Sequence, residues 1–333
     1  MDDARKRSRK LHWGLLSTAR INRALIAPLR SSQRNHLLAV ASRSLDKAQA
    51  YAKEWGIPKA FGSYEAMLKS DDIDVIYNSL PNHLHAEWTI KALQAGKHVL
   101  CEKPLALSIG EVDAMVEAAN QAGLILAEAF MYRHHPQSVR VKELVEQGVV
   151  GEIVYIQGAF TFWLENRLDI RMNPEMGGGS LWDVGCYPVS YTRLLLGAEP
   201  KEVFGWARIG VSGVDEVFTG LMRFNSGPLA QFESGFRSPY RVRMEIVGST
   251  GSLMISNPFK PGKDNTIVID RGGKLEKVKM PGQELYLGEV EDIADAVLDG
   301  KPPRISLEDS RANVKVLAAL LESARRNTPV EIN

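Results

Sequence analysis

The chain has 333 residues, 44% of them hydrophobic and 24% charged, and its formal net charge at pH 7 is +1. A chain of this length can build two hydrophobic cores, and its balanced charge argues against nucleic acid or a membrane as partner. Cys101 and Cys186 make neither a disulfide framework nor a metal-binding spacing, and the charged start lacks the apolar stretch of a signal peptide. We therefore expect a cytoplasmic two-domain protein without a metal, preceded by a flexible terminus at residues 1–10.

In the first part of the chain, short apolar runs alternate with helical patterns. The runs are continuous rather than alternating, which is typical of buried parallel strands. They are residues 13–16, 36–41, 75–76, 98–101 and 124–127. Helices are predicted between them at residues 45–55, 84–95 and 109–122, with Ser44 and Ser108 as N-caps. This βαβ series predicts a doubly wound α/β Rossmann domain over residues 11–130.

After Gly151 the apolar residues alternate with polar ones, and strands follow one another without helices. The predicted strands are residues 153–160, 202–207, 217–224, 229–234, 242–247 and 252–255. Such a series predicts an α+β domain with a large open antiparallel sheet, over residues 131–306. A final helix is predicted at residues 307–326, within a C-terminal segment, residues 307–333.

The tripeptide Glu102-Lys103-Pro104 directly follows the apolar run at residues 98–101. A lysine is costly at a buried strand end, and the proline behind it cannot extend the hydrogen-bond ladder. In a doubly wound sheet, ligands bind at the carboxyl ends of the strands. A solvated lysine that ends a strand is the alternative for this tripeptide taken alone.

The turn after the first strand departs from the G-x-G-x-x-G dinucleotide fingerprint. It reads S-T-A-R-I-N over residues 17–22, so every glycine position is replaced. Small side chains and the backbone N–H groups of a helix N-terminus can still bind a pyrophosphate, provided that the turn does not demand a positive φ. The alternative is an ordinary strand-to-helix turn.

Arg43 follows the second strand, between Ser42 and Ser44. An acidic residue there would repel a ribose 2′-phosphate, whereas a guanidinium binds it through charge-assisted hydrogen bonds. An arginine at a solvated helix start would oppose the helix dipole, and a bound anion relieves that mismatch. The sequence therefore predicts NADP(H) rather than NAD(H).

Residues 177–187 read GGGSLWDVGCY, with Asp183 and Tyr187 four apart on a predicted helix, so that both side chains project from one face. Together with Glu102-Lys103-Pro104 and the first turn, this segment resembles the glucose–fructose oxidoreductase / inositol dehydrogenase (Gfo/Idh/MocA) family. Residues 128–136, EAFMYRHHP, resemble the branch containing NADP-linked xylose dehydrogenases, dimeric dihydrodiol dehydrogenases and sugar 3-ketoreductases. The first turn is similar to the G-T-A-R-I-A of that branch.

The resemblance implies hydride transfer between NADP(H) and a secondary alcohol, ketone or hemiacetal carbon of a sugar or cyclic diol. We assign Tyr187 as general acid/base, Lys103 as its electrostatic partner and as a donor to the substrate oxygen, and Asp183 as an orienting residue. The alternative is a catalytically silent NADP(H)-binding sensor or regulatory protein of the same fold. A sensor has no need of a phenol and an ammonium at one crevice, which argues against that alternative.

Further contacts are predicted less directly. Asn82 can instead cap a helix, and the aromatic stretch and the long loop before Gly177 can serve packing alone. The predicted cofactor-binding residues are Ser17, Thr18, Ala19, Arg20, Ile21, Ser42, Arg43, Ser44, Leu80, Pro81, Asn82, His85, Glu102, Lys103 and Arg171. The predicted substrate-binding residues are Tyr132, Arg133, Trp163 and Asn173. The resemblance also implies a homodimer or homotetramer formed through the open sheet, with the last helix packed back near the first domain.

Overall fold

The computed structural model describes residues 9–332. Residues 1–8, which hold most of the predicted flexible terminus, lie outside that range. Arg9 forms an exposed ion pair with Asp74. The chain divides into two compact units: the first runs to Met131 and includes Tyr286–Arg311, and the second comprises Tyr132–Leu285 and the residues from Ala312 onward.

The helices are α1 (Asn22–Ser31), α2 (Leu45–Trp55), α3 (Tyr64–Leu68), α4 (His85–Gln94), α5 (Ile109–Ala122), α6 (Pro136–Glu146), α7 (Cys186–Leu196), α8 (Leu287–Asp299) and α9 (Leu307–Arg326). The predicted bounds of α2, α5 and α9 match the structure. Local chemistry explains two of these helices, because the hydroxyls of Ser44 and Ser108 accept backbone N–H groups at their N-termini. Gly123 ends α5 in the left-handed conformation at φ 64°.

The first unit contains a six-stranded sheet in the order β3-β2-β1-β4-β5-β6, and every pairing in it is parallel. Its strands are β1 (Leu11–Leu16), β2 (Asn35–Ala41), β3 (Lys59–Phe61), β4 (Val75–Asn78), β5 (His98–Glu102) and β6 (Leu126–Ala129). The order reverses between β1 and β4, which is the switch point where a doubly wound sheet binds its ligand. The predicted Rossmann architecture is confirmed. The short, half-buried β3 was not predicted.

The second unit contains a nine-stranded sheet in the order β14-β13-β12-β11-β7-β10-β9-β8-β15. Its strands are β7 (Ile153–Trp163), β8 (Pro200–Ile209), β9 (Asp215–Phe224), β10 (Leu229–Gly235), β11 (Arg237–Gly248), β12 (Ser252–Ser256), β13 (Asn265–Arg271), β14 (Lys274–Met280) and β15 (Val330–Glu331). The sheet is antiparallel as predicted, except that the central strands β7 and β10 are parallel. Parallel neighbours need a crossover connection, and α7, β8 and β9 provide it.

The strands of the second unit bury one face of their sheet and leave the other partly exposed. On β9, Met222 and Phe224 are buried, whereas Leu221 and Arg223, which alternate with them, are exposed. This period of two is the pattern expected of a sheet covered on one side.

The last third of the chain is divided differently from the predicted domain boundaries. The apolar side of α8, including Val290 and Ile293, packs in the core of the first unit, although residues 131–306 were assigned to the second domain. Most of α9 belongs to the second unit, where the Ser323 hydroxyl accepts the Gly205 N–H at 3.1 Å. An amphipathic pattern shows that a helix face is buried, but it does not show which core buries it.

Candidate active site

The loops that carry most of the predicted cofactor residues follow β1, β2, β4 and β5, at the carboxyl edge of the parallel sheet. They begin at Ser17, Ser42, Ser79 and Lys103. The first and third of these loops are in direct contact, because the hydroxyl oxygens of Ser17 and Ser79 lie 3.0 Å apart. The structure therefore brings the predicted turn and the loop after β4 to one edge.

The first turn contains a residue with a positive φ. Phosphate binding by a turn without glycine was expected only if no positive φ was needed. Ser17 has a φ of 132°, a region that normally favours glycine. Its hydroxyl accepts the backbone N–H of Ala19 at 3.1 Å, and its carbonyl accepts the side-chain N–H of Asn22 at 2.7 Å. Local hydrogen bonds thus hold a serine at a glycine position. The residues between Ser17 and α1 are Thr18, Ala19, Arg20 and Ile21, none of them fully buried.

At the end of β2, the Arg43 side chain is exposed between Ser42 and Ser44. Burial raises the pKa of Tyr64, and the neighbouring Arg43 guanidinium, to which the phenol is hydrogen-bonded, opposes that rise. The hydroxyl of Ser42 accepts the Ser44 N–H at 3.4 Å, and Ser44 caps α2. The two serines therefore shape the turn that presents Arg43.

His85 differs from the prediction that it contacts the cofactor. Its side chain is fully buried, with Nδ1 2.8 Å from the carbonyl oxygen of Pro104 and Nε2 2.8 Å from that of Leu80. Burial lowers its pKa to about 4, although the two backbone contacts oppose this. Pro81 and Asn82, in the same loop, are half-buried. His85 thus belongs to the scaffold behind the loop that Leu80, Pro81 and Asn82 form.

The Glu102 carboxylate turns toward its own sheet. It accepts a short hydrogen bond from the Tyr77 phenol and a 3.3 Å hydrogen bond from the backbone N–H of Lys103. Burial raises the pKa of the neighbouring Glu289 carboxyl, and the charge of Glu102 raises it further. After Lys103, the chain is held by Glu128, whose carboxylate accepts the Leu105 N–H at 2.9 Å. Side chains from three strand ends therefore fix the segment that carries Lys103.

In the second unit, Gly178 and Gly179 pack closely where the chain enters the helical segment. A Cβ at Gly178 would lie 2.5 Å from the Arg171 carbonyl oxygen, and one at Gly179 would lie 2.1 Å from Asp215. The segment begins with a π-helical turn, Leu181–Gly185, before α7. Asp183 lies in this turn and Tyr187 in α7, so they are not on one regular α-helix as predicted. π-Turns within helices occur frequently at functional sites.

Arg171 was predicted to bind the cofactor, and in the structure it binds carboxylates of its own unit. Its Nε lies 2.8 Å from Asp183, and its Nη1 lies 3.1 Å from Asp169. The negative charge of Asp183 raises the pKa of Arg171. Burial opposes this rise and Asp169 adds to it, so the net shift is upward. Asn173, a predicted substrate residue, uses its side-chain oxygen to accept the Glu175 N–H at 2.9 Å. Both side chains therefore organise the loop around Asp183.

Tyr187 is 3% exposed within the second unit and lies among aromatic rings. Its ring centroid is 5.8 Å from that of Tyr132, 5.4 Å from that of Phe160 and 5.6 Å from that of Phe259. These rings fix the position of the Tyr187 side chain.

Three predicted substrate residues have contrasting surroundings. Tyr132 is fully buried and donates to the Ser190 hydroxyl at 2.9 Å, and the buried Arg133 donates to the same oxygen at 3.3 Å. Both pack inside the second unit rather than forming an open wall, because their polar groups find a shared partner in α7. Trp163 is exposed, with the Arg237 guanidinium 5.7 Å from its ring centroid.

Three residues that hold segments of the site were not among the predicted site residues, namely Asp215, Glu128 and Asn78. Asp215 is buried and accepts the Leu181 N–H at 2.7 Å and the Ser180 hydroxyl at 2.8 Å. The sequence signal for Asp215 is an acidic pair, Asp215-Glu216, at the start of a strand whose later residues alternate between buried and exposed. In residues 9–332 there is no cluster of three His, Cys, Asp or Glu side chains suited to a metal, and no helix long and apolar enough to cross a membrane.

Both halves of the chain match models of one protein family. Residues 11–130 match the oxidoreductase family with an NAD-binding Rossmann fold, and residues 138–254 match the GFO/IDH/MocA C-terminal domain. A D-xylose 1-dehydrogenase (NADP(+)) from Haloferax volcanii is 37% identical over 96% of this chain and 99% of its own. A trans-1,2-dihydrobenzene-1,2-diol dehydrogenase from Xenopus laevis is 30% identical over 93% of this chain and 97% of its own.

A solved structure of a 3-ketoreductase from Actinomadura kijaniata, in complex with NADP and TDP-benzene, is similar with a TM-score of 0.90. It is 33% identical, over 94% of this chain and 98% of its own. That enzyme has also been solved with a tyrosine replaced by phenylalanine and with a lysine replaced by alanine or glutamate. The sheet order, the two family matches and these full-length relatives confirm the predicted resemblance: the chain belongs to the GFO/IDH/MocA family of oxidoreductases.

Proposed function

We propose that the protein is an NADP(H)-dependent oxidoreductase that transfers a hydride to or from a secondary alcohol, ketone or hemiacetal carbon of a sugar or cyclic diol. The observation that carries this proposal is full-length similarity to a xylose dehydrogenase, a dihydrodiol dehydrogenase and a sugar 3-ketoreductase. These relatives are similar to nearly the whole chain, and their names describe one type of reaction on related substrates. The presence of Lys103, Asp183 and Tyr187 in the motifs supports turnover rather than binding alone.

The first unit offers groups that fit a 2′-phosphorylated dinucleotide. Arg43 is an exposed cation at the end of β2, where such a phosphate is bound in doubly wound folds. The first turn leads into the N-terminus of α1, and helix N-termini favour phosphate. When bound, the nicotinamide supplies or accepts the hydride at its C4 atom. We assign cofactor contacts to Ser17, Thr18, Ala19, Arg20, Ile21, Ser42, Arg43, Ser44, Leu80, Pro81, Asn82 and Lys103.

The proton chemistry falls to this chain's own side chains. In the direction of reduction, the Tyr187 phenol gives a proton to the carbonyl oxygen of the substrate as that oxygen becomes a hydroxyl. The Lys103 ammonium stabilises the negative charge that develops on the oxygen. Arg171 holds the Asp183 carboxylate, which orients the substrate. In oxidation the proton returns to Tyr187.

A panel of reduced and oxidised sugars and cyclic diols tests this function, with turnover followed by the absorbance of NADPH. Tyr187→Phe serves as the control that keeps the ring and removes the acidic hydroxyl. Turnover by the wild type that disappears in this variant supports the proposal. Tight NADPH binding without turnover of any panel member would instead identify the sensor alternative.

We also propose a homodimer or homotetramer formed through the open face of the second unit's sheet. Apolar side chains on that face remain exposed, namely Trp206, Leu221, Leu229 and Met254. Exposed apolar patches of this kind mark association surfaces. Light scattering at micromolar concentration tests this, and Leu221→Lys should shift the distribution toward monomer. A monodisperse wild-type monomer would contradict the proposed assembly.

We further propose a cytoplasmic location. Both cysteines, Cys101 and Cys186, are free thiols and buried. This is the usual state in a reducing compartment. Cell fractionation with an antibody to the protein tests the location, and recovery in the secreted fraction would contradict it.

A further inference from the structure

One buried imidazole links two loops at the carboxyl edge of the parallel sheet. His85 lies at the start of α4, with no solvent exposure. Its two ring nitrogens face opposite ways, each 2.8 Å from a backbone carbonyl oxygen. One carbonyl belongs to Leu80, in the loop after β4, and the other to Pro104, in the loop after β5. The ring therefore spans the gap between neighbouring loops.

The first of these loops is fixed on its other side by Asn78, the last residue of β4. The Asn78 side-chain amide donates to the His85 carbonyl at 3.1 Å and to the Thr89 hydroxyl at 3.0 Å. Its oxygen accepts the Leu80 N–H at 3.3 Å. His85 is thus anchored through its backbone while its side chain reaches to Pro104. The bridge begins from a rigid support.

The second loop carries Lys103, directly before Pro104. Because the ring is buried, water cannot replace it as a partner for the two carbonyl groups. The imidazolium form would donate to both carbonyls, and the neutral form, which burial favours, donates to one and contacts the other. In either form the ring sets the separation of the two loops.

We propose that His85 is a positioning residue, which places Lys103 relative to the Leu80–Asn82 loop by holding the carbonyl groups of Pro104 and Leu80. The catalytic consequence rests on the function proposed above for Lys103. An error of about 1 Å in the placement of a reacting group can lower the rate about 100-fold. Loss of the bridge should therefore reduce kcat more than it weakens NADPH binding.

The test compares His85→Leu and His85→Gln with His98→Gln as a matched control. His98 is a partly buried histidine that also contacts the backbone, accepting the Ile125 N–H at 3.0 Å, but it lies at the opposite end of β5. Circular dichroism establishes that each variant is folded. His85→Gln retains amide N–H donors and keeps the measurement possible if His85→Leu does not fold.

The decisive measurement is independent of turnover. Acetylation of Lys103 by acetic anhydride is compared by mass spectrometry with acetylation of the exposed Lys69 in the same sample. We expect the ratio to change several-fold in folded His85→Leu, less in His85→Gln, and not in His98→Gln. An unchanged ratio in every folded His85 variant would overturn the proposal, whatever the kinetics show.

Kinetics then separate this inference from the proposed function. If the wild type turns over a sugar or diol, kcat should fall about 10- to 100-fold in His85→Leu, with KM for NADPH within a few-fold. Weaker NADPH binding with unchanged kcat would overturn the positioning of Lys103. If the wild type turns over nothing, the proposed function fails, while the acetylation ratio still decides whether His85 places Lys103.

Discussion

Asp215 accepts the backbone N–H of Leu181 at 2.7 Å, and this bond ties β9 to the first residue of the π-helical turn. The same carboxylate accepts the Ser180 hydroxyl at 2.8 Å. Asp183 lies two residues beyond Leu181, and Tyr187 follows in α7. A buried acid 28 residues after Tyr187 in the chain therefore anchors the segment that carries both proposed functional residues.

This anchor predicts a pH-dependent stability. Burial raises the pKa of Asp215 from 3.8 to about 6, against the opposing effect of its hydrogen bonds. As the pH rises, Asp215 loses its proton at a lower pH in the unfolded state than in the folded state, which favours unfolding. The contribution of Asp215 to folding stability is therefore complete below about pH 4 and is lost by about pH 6. The free energy of unfolding should fall by about 3 kcal/mol through this group across that window.

Asp215→Asn supplies the control, because asparagine does not titrate and keeps one acceptor oxygen for Leu181. Urea unfolding of both proteins at several pH values isolates the contribution of Asp215, since the other carboxyls cancel in the difference. The stability of the wild type relative to Asp215→Asn should decline between about pH 4 and pH 6. A difference that stays constant with pH would contradict the prediction.

The backbone of the first turn predicts that glycine stabilises the protein more than alanine at position 17. Because Ser17 has a φ of 132°, a Cβ at this position is strained, by about 1 to 3 kcal/mol. Ser17→Ala and Ser17→Gly both remove the hydroxyl, so their difference reports the backbone strain. We expect the glycine variant to be the more stable by about 1 kcal/mol or more in thermal unfolding. Equal stability would mean that the turn relaxes around alanine.

Cofactor choice should depend on Arg43. If its guanidinium binds the 2′-phosphate, Arg43→Ala should weaken NADPH binding by about 2 kcal/mol and leave NADH binding nearly unchanged. Lys47→Ala, an exposed cation in the first turn of α2, is the matched control and should have little effect. Fluorescence titration with both cofactors measures this. Equal losses for NADPH and NADH in Arg43→Ala would assign the phosphate to another group.

Proton transfer by Tyr187 predicts a large effect on turnover. Tyr187→Phe should lower kcat about 10²- to 10⁴-fold while NADPH affinity stays within a few-fold, because proton transfer acts in the transition state. Tyr191→Phe, one turn further along α7 and also buried, is the control. Full activity of Tyr187→Phe would mean that another residue exchanges the proton with the substrate, with His134 and Asp183 as the next candidates.

Lys103 and Tyr187 should behave as one catalytic unit. Lys103→Met should damage kcat about as much as Tyr187→Phe, and the double variant should lose much less than the product of the two single losses. Steady-state kinetics of the three variants complete the cycle. Multiplicative losses would show that the two side chains act independently.

Elements whose causes are local could be predicted from the amino-acid sequence. α2 and α5 were predicted because a capping serine marks the start of each, and Gly123 also marks the end of α5. Continuous apolar runs distinguished the parallel sheet, and alternating ones distinguished the second sheet, because side-chain period reports which faces are buried. The family and the loops at the carboxyl edge followed from short motifs placed after those strands.

Side-chain roles that depend on partners elsewhere in the chain could be recognised only in the folded structure. Arg171 was predicted to bind cofactor, but its nearest charge is Asp183, brought close by the turn at Gly178 and Gly179. Nothing in the sequence around His85 indicates that its two ring nitrogens contact the carbonyl groups of Leu80 and Pro104. A hydrogen bond across many residues depends on how whole elements pack, and no local pattern records that packing. For the same reason, residues 131–306 were assigned to the second domain, and only the fold shows that α8, within that range, packs in the core of the first unit.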